Sequence, residues 1–230
     1  MSATGQGPRS RPPAPRDQLA ALVDRGLTWP PIPGDASALR PAAVLVLLGV
    51  LDAVPAEHVS AAVPGDLDVL LVARSDELTH HPGQVAFPGG RVDPTDAGPV
   101  EAALREAREE TGLDPTGVEV LGALGEVPLP VSRHLVTPVV GWWHAPSTVG
   151  VVDRRESADV FRAPVADLVD PGRRGVVASL RPGGAPAFRT PAFDLDGHLV
   201  WGFTAIVLDR LLDALGWTEP WDRSRELTLP

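Results

Sequence analysis

A helix with three glutamates on one face constrains the fold of this chain more than any other sequence feature. The segment Pro99–Thr111 is predicted as a helix because it begins with a proline, which suits the first turn, and is followed by Gly112, which suits the position just past the end. Glu106, Glu109 and Glu110 are spaced at i, i+3 and i+4 and therefore share one face. An apolar stripe is predicted to pack inward and consists of Val100, Ala103, Leu104 and Ala107.

Two explanations fit this acidic face. Carboxylates at this spacing repel one another and destabilise a helix unless a cation lies among them. A hard divalent ion such as Mg²⁺ or Mn²⁺ would do so, since these ions bind oxygen ligands and bridge to substrate phosphates. The chain has no cysteine, so any metal ligand is oxygen or imidazole. The alternative is a solvated face braced by Arg105 and Arg108.

Composition limits the number of domains and the class of partner. With 230 residues and 43% apolar content the chain suits one domain with tails, predicted as a disordered tail over residues 1–16, a domain over 17–216 and a loose tail over 217–230. A formal charge of −10 argues against nucleic-acid and membrane partners and favours a small-molecule substrate held by a bound cation or local arginines. No apolar run is long enough to cross a membrane and no secretory signal is present, so a cytoplasmic location is expected.

Hydrophobic patterns predict alternating strands and helices. We expect strands at Ala42–Val50, Asp68–Arg74, Val118–Leu124 and His134–Trp142, a hairpin over Ala192–Trp201 that turns at Asp196–Gly197, and helices at Asp17–Leu27 and Phe203–Leu215. A glycine-rich dinucleotide fingerprint is absent. The pattern therefore favours an α/β sandwich built on a mixed sheet.

The segment from Gly90 to Leu113 resembles the Nudix box. Its second half is matched completely by Arg105–Leu113, which reads Arg-Glu-Ala-Arg-Glu-Glu-Thr-Gly-Leu. In the first half Asp96 stands where the box has glutamate, and eight residues instead of seven separate it from Arg105. A one-residue expansion with aspartate is similar to the coenzyme A diphosphatase branch of the family.

A second segment, Leu70–Gly90, resembles the signature of that branch. It contains a strand, Arg74-Ser75, a histidine-containing loop and a Phe-Pro-Gly-Gly run. The resemblance implies a Nudix-type α/β/α sandwich with a mixed β-sheet. It also implies a metal-dependent hydrolase that cleaves coenzyme A or its thioesters to phosphopantetheine and adenosine 3′,5′-bisphosphate. Thr79 stands where the branch usually has a basic residue, so another nucleoside diphosphate derivative is an alternative substrate. A third hypothesis is a binding module with the same fold that has lost catalysis.

The resemblance also implies roles for individual residues. Glu106, Glu109 and Glu110 are the expected ligands of Mg²⁺ or Mn²⁺. Arg105 is expected to orient a glutamate, with a surface ion pair to Glu109 as the alternative. The general base is a glutamate of the box or Glu156, for which a solvated charged loop is the competing interpretation.

Four residues are expected to contact the substrate. Arg74, Ser75 and Arg91 are the candidates for phosphate contacts, and Arg74 in particular for the 3′-phosphate of the coenzyme. A salt bridge from Arg74 to Asp93 or Asp96 is the alternative. His81 is the loop histidine expected to assist, although a histidine at such a position also commonly bonds backbone.

Overall fold

The computed structural model describes residues 13–29, 38–50, 55–75, 83–180, 186–195 and 197–229. Its four helices within these ranges are α1 (Pro15–Arg25), α2 (Pro99–Thr111), α3 (Val165–Val169) and α4 (Gly202–Leu215), with a 3₁₀ turn at Pro115–Gly117. Its strands are β1 (Arg40–Val50), β2 (Leu67–Arg74), β3 (Val85–Ala86), β4 (Gly89–Arg91), β5 (Val118–Ala123), β6 (Val127–Leu129), β7 (His134–Trp143), β8 (Ser157–Pro164), β9 (Arg174–Leu180), β10 (Pro186–Leu195) and β11 (His198–Val200).

Strand β1 organises the larger, mixed sheet. It runs parallel to β7 from Arg40 to Leu48 and antiparallel to both β2 and β4 on its other side. Its C-terminal end pairs with β2, as in Leu48 opposite Val69, and its N-terminal end pairs with β4, as in Val44 opposite Gly89. Between these two pairings the Leu45 N–H donates to the Pro88 carbonyl at 2.8 Å. The chain leading into β4 is therefore fixed against the middle of β1.

Alternate residues of β1 face two separate cores. Ala43, Leu45 and Leu47 are buried in a cluster with Ala103 and Ala107 of α2. The residues between them belong to the second cluster, in which Val46 and Leu48 are buried with Leu19 of α1 and Leu208 of α4. Helices thus cover both faces of a mixed sheet, which confirms the predicted α/β sandwich. No helix in the described ranges has the length and apolar character of a membrane span.

The hairpin predicted near the C-terminus is present as β10 and β11. Phe193 lies opposite Val200 and Leu195 opposite His198, so the strands turn where the Asp-Gly pair stands. Residue 196 itself lies outside the described residues. Strand β9 completes this second, three-stranded sheet.

Three sequence-based expectations need correction. The first helix begins at Pro15 instead of Asp17, and Arg16 hydrogen-bonds to Glu119, so Arg16 belongs to the domain. The inward stripe of α2 includes Ala102, while Val100 and Leu104 are only partly buried, because the helix approaches the sheet along its alanines. Residues 217–229 pack on the domain: Trp217 is 2% exposed, and Glu226 forms a parallel bridge with Val176.

Candidate active site

Helix α2 carries the acidic face and has the predicted bounds. Gly112 ends it in a left-handed conformation with φ of 72°, and its N–H donates to the Arg108 carbonyl at 2.9 Å. Ala102, Ala103 and Ala107 are fully buried. Because these side chains are small, the helix backbone lies close to β1 and β4. The glutamates on the neighbouring face of the helix therefore lie beside β4.

Two consecutive glycines of β4 meet two glutamates of α2. The Gly89 N–H donates to Glu110 Oε2 at 3.0 Å. A Cβ added at Gly90 would lie 2.5 Å from Glu106 Cδ, and one added at Gly89 would lie 2.4 Å from the Ala43 carbonyl oxygen. Glycine is therefore required at both positions. The backbone of β1 lies too close to Gly89, and the carboxylate of Glu106 lies too close to Gly90, to leave room for a side chain.

The carboxylates of Glu106 and Glu110 are both partly buried. Burial raises the pKa of Glu110 to about 7, and the neighbouring charges of Glu106 and Glu156 raise it further, against the opposing effects of the Gly89 hydrogen bond and Arg74. Burial also raises the pKa of Glu106, while its bond to Arg105 opposes the shift. Carboxylates in this setting disfavour their own ionisation, so the site is suited to a cation.

Arg105 uses all five of its N–H donors, and three of them connect the helix to β4 and to the loop before the helix. Nε donates to Asp96 Oδ1 at 3.0 Å, and Nη2 donates to Asp96 Oδ2 at 3.1 Å and to the Arg91 carbonyl at 3.0 Å. Nη1 donates to Glu106 Oε1 at 3.0 Å and to Glu109 Oε2 at 3.1 Å. Arg105 therefore bonds to Glu106, a glutamate that it could orient, and also forms the ion pair with Glu109 that was expected beside that role.

The sequence did not reveal Asp96 as the hydrogen-bond partner of Arg105. Asp96 is identified there only as the acidic position of the first half of the box, whereas its side chain is 3% exposed and holds the guanidinium with two oxygens. These bonds hold the pKa of Asp96 below its usual range. The two residues are nine positions apart on a loop and a helix, and helical periodicity gives no signal for such a pair.

Glu109 differs from the other two glutamates. Its side chain is 58% exposed and bonds to Arg105. In the part of the chain that the structure describes, no three carboxylate or imidazole groups are arranged as a metal site. The structure therefore brings Glu106 and Glu110 to β4 but leaves Glu109 turned towards its arginine.

The donor set nevertheless suits a hard divalent ion. It consists of the partly buried carboxylates of Glu106 and Glu110 beside the backbone of Gly89 and Gly90. Oxygen-only ligands of this kind match Mg²⁺ or Mn²⁺. Rotation of the Glu109 side chain away from Arg105 would supply a third carboxylate.

The end of β2 and the start of β8 meet the acidic face from the other side. Ser75 is 5% exposed and its N–H donates to the Glu156 carbonyl at 3.0 Å, next to the pairing of Arg74 with Ser157. The charge of Arg74 lowers the pKa of Glu110, and that of Glu156 raises it. The alternative salt bridge from Arg74 to Asp96 is not formed, because Asp96 bonds to Arg105.

Two further substrate candidates were named from the sequence, Arg91 and His81. Arg91 is exposed, and its side chain leaves β4 on the sheet face opposite α2, since it occupies the register row of Ala42. Thr79 and His81 belong to residues 76–82, which lie outside the described residues.

A broad groove runs along the outer side of α2. It has a volume of about 1040 Å³ and is lined mostly by apolar atoms, with Pro99, Val100, Leu104 and Val152 among its walls. Arg105 and Glu109 form the part of its rim that is nearest to the acidic face.

Comparisons with known proteins give a family match and several similar proteins. The family model described as NUDIX domain matches residues 56–179. A protein of Shigella flexneri named "Uncharacterized Nudix hydrolase NudL" is 39% identical over 173 residues, which cover 71% of this chain and 86% of that protein. The NudL protein of Escherichia coli K12 is 40% identical over 148 residues, covering 64% of this chain and 75% of that protein. Among solved structures, the Nudix hydrolase RenU of M. smegmatis is 21% identical with a TM-score of 0.48, covering 80% of this chain and 90% of that one.

Proposed function

This chain belongs to the Nudix family of hydrolases, which act on diphosphate bonds, and from that premise we propose that its substrate is coenzyme A or a coenzyme A thioester. Hydrolysis of the diphosphate would release phosphopantetheine, or its acylated form, and adenosine 3′,5′-bisphosphate. Water adds to one phosphorus atom, the bond from that phosphorus to the bridging oxygen breaks, and the other phosphate leaves with the electron pair.

The double hydrogen bond between Asp96 and Arg105 is the observation that carries this proposal. The box of this chain has an aspartate and one extra residue in its first half, as in the branch that it resembles. The shorter side chain still reaches Arg105 with both oxygens, which supports an expanded box of the kind that the resemblance implies. Arg105 then fixes Glu106 beside Gly90.

The carboxylates of Glu106 and Glu110 would hold the divalent ion, with Glu109 as the third ligand. When bound, the ion supplies positive charge for the diphosphate oxygens. Arg74 lies near Glu110 and adds a fixed positive charge to the same region, so it suits the diphosphate. The buried Ser75 next to it keeps this end of β2 against Glu156.

Glu156 is the proposed general base. Its side chain is exposed, and its charge acts on Glu110 from the loop before β8. A carboxylate that is open to water can take a proton from the attacking water. Glu110 is less suited to this role, because its Oε2 accepts the Gly89 N–H.

The groove beside α2 supports a substrate with a long arm that is not a nucleotide. Its volume of about 1040 Å³ exceeds what a nucleotide alone needs, and its walls are mostly apolar. Glu109 of the acidic face is among its lining residues, which suits an arm attached to a diphosphate at that face. Pantetheine and its acyl groups have this character.

A hydrolysis screen with and without Mg²⁺ or Mn²⁺ over coenzyme A, NADH, ADP-ribose and deoxynucleoside triphosphates tests the proposal. Wild-type protein should cleave coenzyme A, and EDTA should abolish the reaction. Glu110→Gln should lower kcat by about a hundredfold or more while the fold persists, because the variant loses a ligand charge and keeps its shape. Glu126→Gln, at an exposed glutamate away from the acidic face, is the matched control.

Three outcomes would contradict parts of this proposal. A near wild-type rate for Glu110→Gln, or activity in EDTA, would remove the metal assignment. Good turnover of ADP-ribose or a nucleotide sugar with no cleavage of coenzyme A would favour the second candidate, which the threonine at position 79 supports. Binding of substrate with no turnover under any metal would indicate a binding module.

A further inference from the structure

Three basic side chains lie together on the sheet face opposite α2. Arg40 of β1 and His134 of β7 are register partners in the parallel pairing of these strands. Arg91 of β4 lies opposite Ala42, two residues along β1 from Arg40. Residues that are paired across strands, or two apart along one strand, point to the same face, so all three leave the sheet on the side of α1 and α4.

Strand geometry sets their separation. Neighbouring strands are about 4.8 Å apart, which is the spacing between the backbones of Arg40 and His134. Arg91 is the diagonal neighbour of Arg40 across an antiparallel pair, and such neighbours lie about 7–8 Å apart, within reach of long side chains. The three cationic or ionisable ends can therefore converge on one small ligand.

Within the described residues, the three side chains have no acidic partner. Arg40 and Arg91 are exposed, and neither forms an ion pair with an acidic side chain of the described residues. His134 Nε2 is buried and has no hydrogen-bond partner within the same ranges. Burial and the charges of both arginines lower the pKa of His134, which agrees with their proximity. Unpaired cations stand out in a chain of net charge −10.

We propose that Arg40, Arg91 and His134 bind a phosphate monoester dianion and, resting on the function proposed above, that this group is the 3′-phosphate of coenzyme A. Two arginines offer donors to several phosphate oxygens, and a phosphate oxygen would give His134 Nε2 its missing partner. Inorganic phosphate shares this chemistry and is the alternative source of the ligand.

The position relative to the acidic face fits this substrate. Arg91 directly follows Gly90, the residue that Glu106 contacts, and β4 pairs with β1 alone. A substrate whose diphosphate lies at the acidic face can therefore pass over a short edge strand to reach the three side chains. Arg74, which the sequence suggested for the 3′-phosphate, is in this arrangement the candidate for the diphosphate, because its charge acts on Glu110.

Kinetics on coenzyme A and dephospho-coenzyme A test this inference. Arg40→Gln and His134→Gln should each lower kcat/KM for coenzyme A by about tenfold, the effect of losing one hydrogen bond to a charged group. The same variants should change kcat/KM for dephospho-coenzyme A by less than about twofold. Arg189→Gln removes an equal charge from an exposed arginine of the second sheet and should alter neither value.

Calorimetric titration with adenosine 3′,5′-bisphosphate and with adenosine 5′-monophosphate, in EDTA, separates this inference from the proposed function. Tighter binding of the bisphosphate, lost in Arg40→Gln and His134→Gln, supports the phosphate site even where coenzyme A proves not to be cleaved. Equal affinity for the two nucleotides, or an unchanged kinetic ratio in both variants, overturns it. Binding of inorganic phosphate as tight as that of the bisphosphate would assign the site to a free anion and overturn the 3′-phosphate assignment.

Discussion

Gly89 and Gly90 are adjacent, yet a methyl group at each position meets a different part of the molecule. At Gly90 it meets the end of the flexible Glu106 side chain, and at Gly89 it meets the backbone of β1. Gly89 also has a φ of 156°, which disfavours any residue with a Cβ. The first substitution therefore perturbs a carboxylate and the second perturbs the sheet.

Gly90→Ala should lower kcat by about ten- to a hundredfold with little change in the free energy of unfolding, since a displaced metal ligand affects the chemistry more than the fold. Gly89→Ala should instead lower the free energy of unfolding by about 1–3 kcal/mol or more, by overpacking and strain. Activity assays and urea unfolding measure both. Gly65→Ala, at a glycine with open space around it, is the control, and equal losses of stability in both variants would contradict this distinction.

Asp68 is a buried carboxyl that no part of the proposed mechanism uses. It is 0% exposed, neither oxygen has a hydrogen-bond partner among the described residues, and burial raises its pKa to about 7. In the unfolded chain its pKa is about 3.9, so the folded state holds the proton more tightly. At a pH below the unfolded pKa, Asp68 does not lower the free energy of unfolding. This free energy then falls as the pH rises from about 4 to 7, and the loss is complete above 7.

Asp68→Asn should therefore stabilise the protein more at pH 8 than at pH 5, by a difference on the order of 2 kcal/mol. The asparagine has nearly the same shape and carries no charge at either pH. Urea unfolding of both proteins at the two pH values measures the difference. The exposed Asp66 next to β2 provides the control variant Asp66→Asn, and a pH-independent difference for Asp68→Asn would show that its carboxyl is not buried in the folded protein.

At the scale of the element, α2 depends on an aspartate that lies outside it. Asp96 is 3% exposed and bonds the Nε and Nη2 groups of Arg105, whereas Asp93 is 56% exposed and lies 3.8 Å from the same guanidinium. Loss of Asp96 would leave Arg105 with the Arg91 carbonyl and the glutamates. A single hydrogen bond would then hold the guanidinium to β4.

Asp96→Ala should lower the free energy of unfolding by about 1–3 kcal/mol, the range for a hydrogen bond to a charged group. It should also lower kcat by about tenfold or more, since Arg105 would hold Glu106 less firmly. Asp93→Ala, on the same loop, should lower stability by less than about 1 kcal/mol, as expected for a weak exposed pair. Similar effects of the two substitutions would show that the double hydrogen bond does not position Arg105.

The bounds of α2 were predictable because local signals set them. A proline at the first turn and a glycine in a left-handed conformation after the last are properties of the chain near each end. The α/β fold class was predictable from local sequence patterns as well. The orientation of Glu109 was not predictable, because the glutamates have equivalent helical spacing and differ only in what lies opposite: Gly89, Gly90 or Arg105.

At the scale of the whole molecule, the C-terminal segment joins parts that are distant in sequence. The Trp217 Nε1–H donates to Gln18 Oε1 of α1 at 2.9 Å. Further on, the Val176 N–H donates to the Arg225 carbonyl and the Leu227 N–H donates to the Val176 carbonyl, each at 2.8 Å, which adds a bridge to β9. Sequence periodicity fails here because an irregular segment that packs through a few large side chains has no repeating pattern.

This segment also covers a buried charge. Arg174 is 0% exposed and pairs with Asp209 of α4, and its guanidinium carbon lies 4.6 Å from the centre of the Trp221 ring and 5.1 Å from that of Phe193. Aromatic rings over a guanidinium stabilise it and keep water away. Removal of the segment would therefore expose a paired charge as well as apolar surface.

Removing residues 217–230 should lower the free energy of unfolding by about 3–5 kcal/mol or more, because truncation of one buried tryptophan costs that much alone. Trp217→Ala should reproduce much of the loss. Removing residues 1–12 should leave the melting temperature unchanged, because their Gly-, Pro- and Ser-rich composition cannot bury apolar surface. Thermal and urea unfolding of these three variants and of the full chain test these predictions. A C-terminal truncation that melts within about 2 °C of the full chain would show that the segment is the loose tail that the sequence suggested.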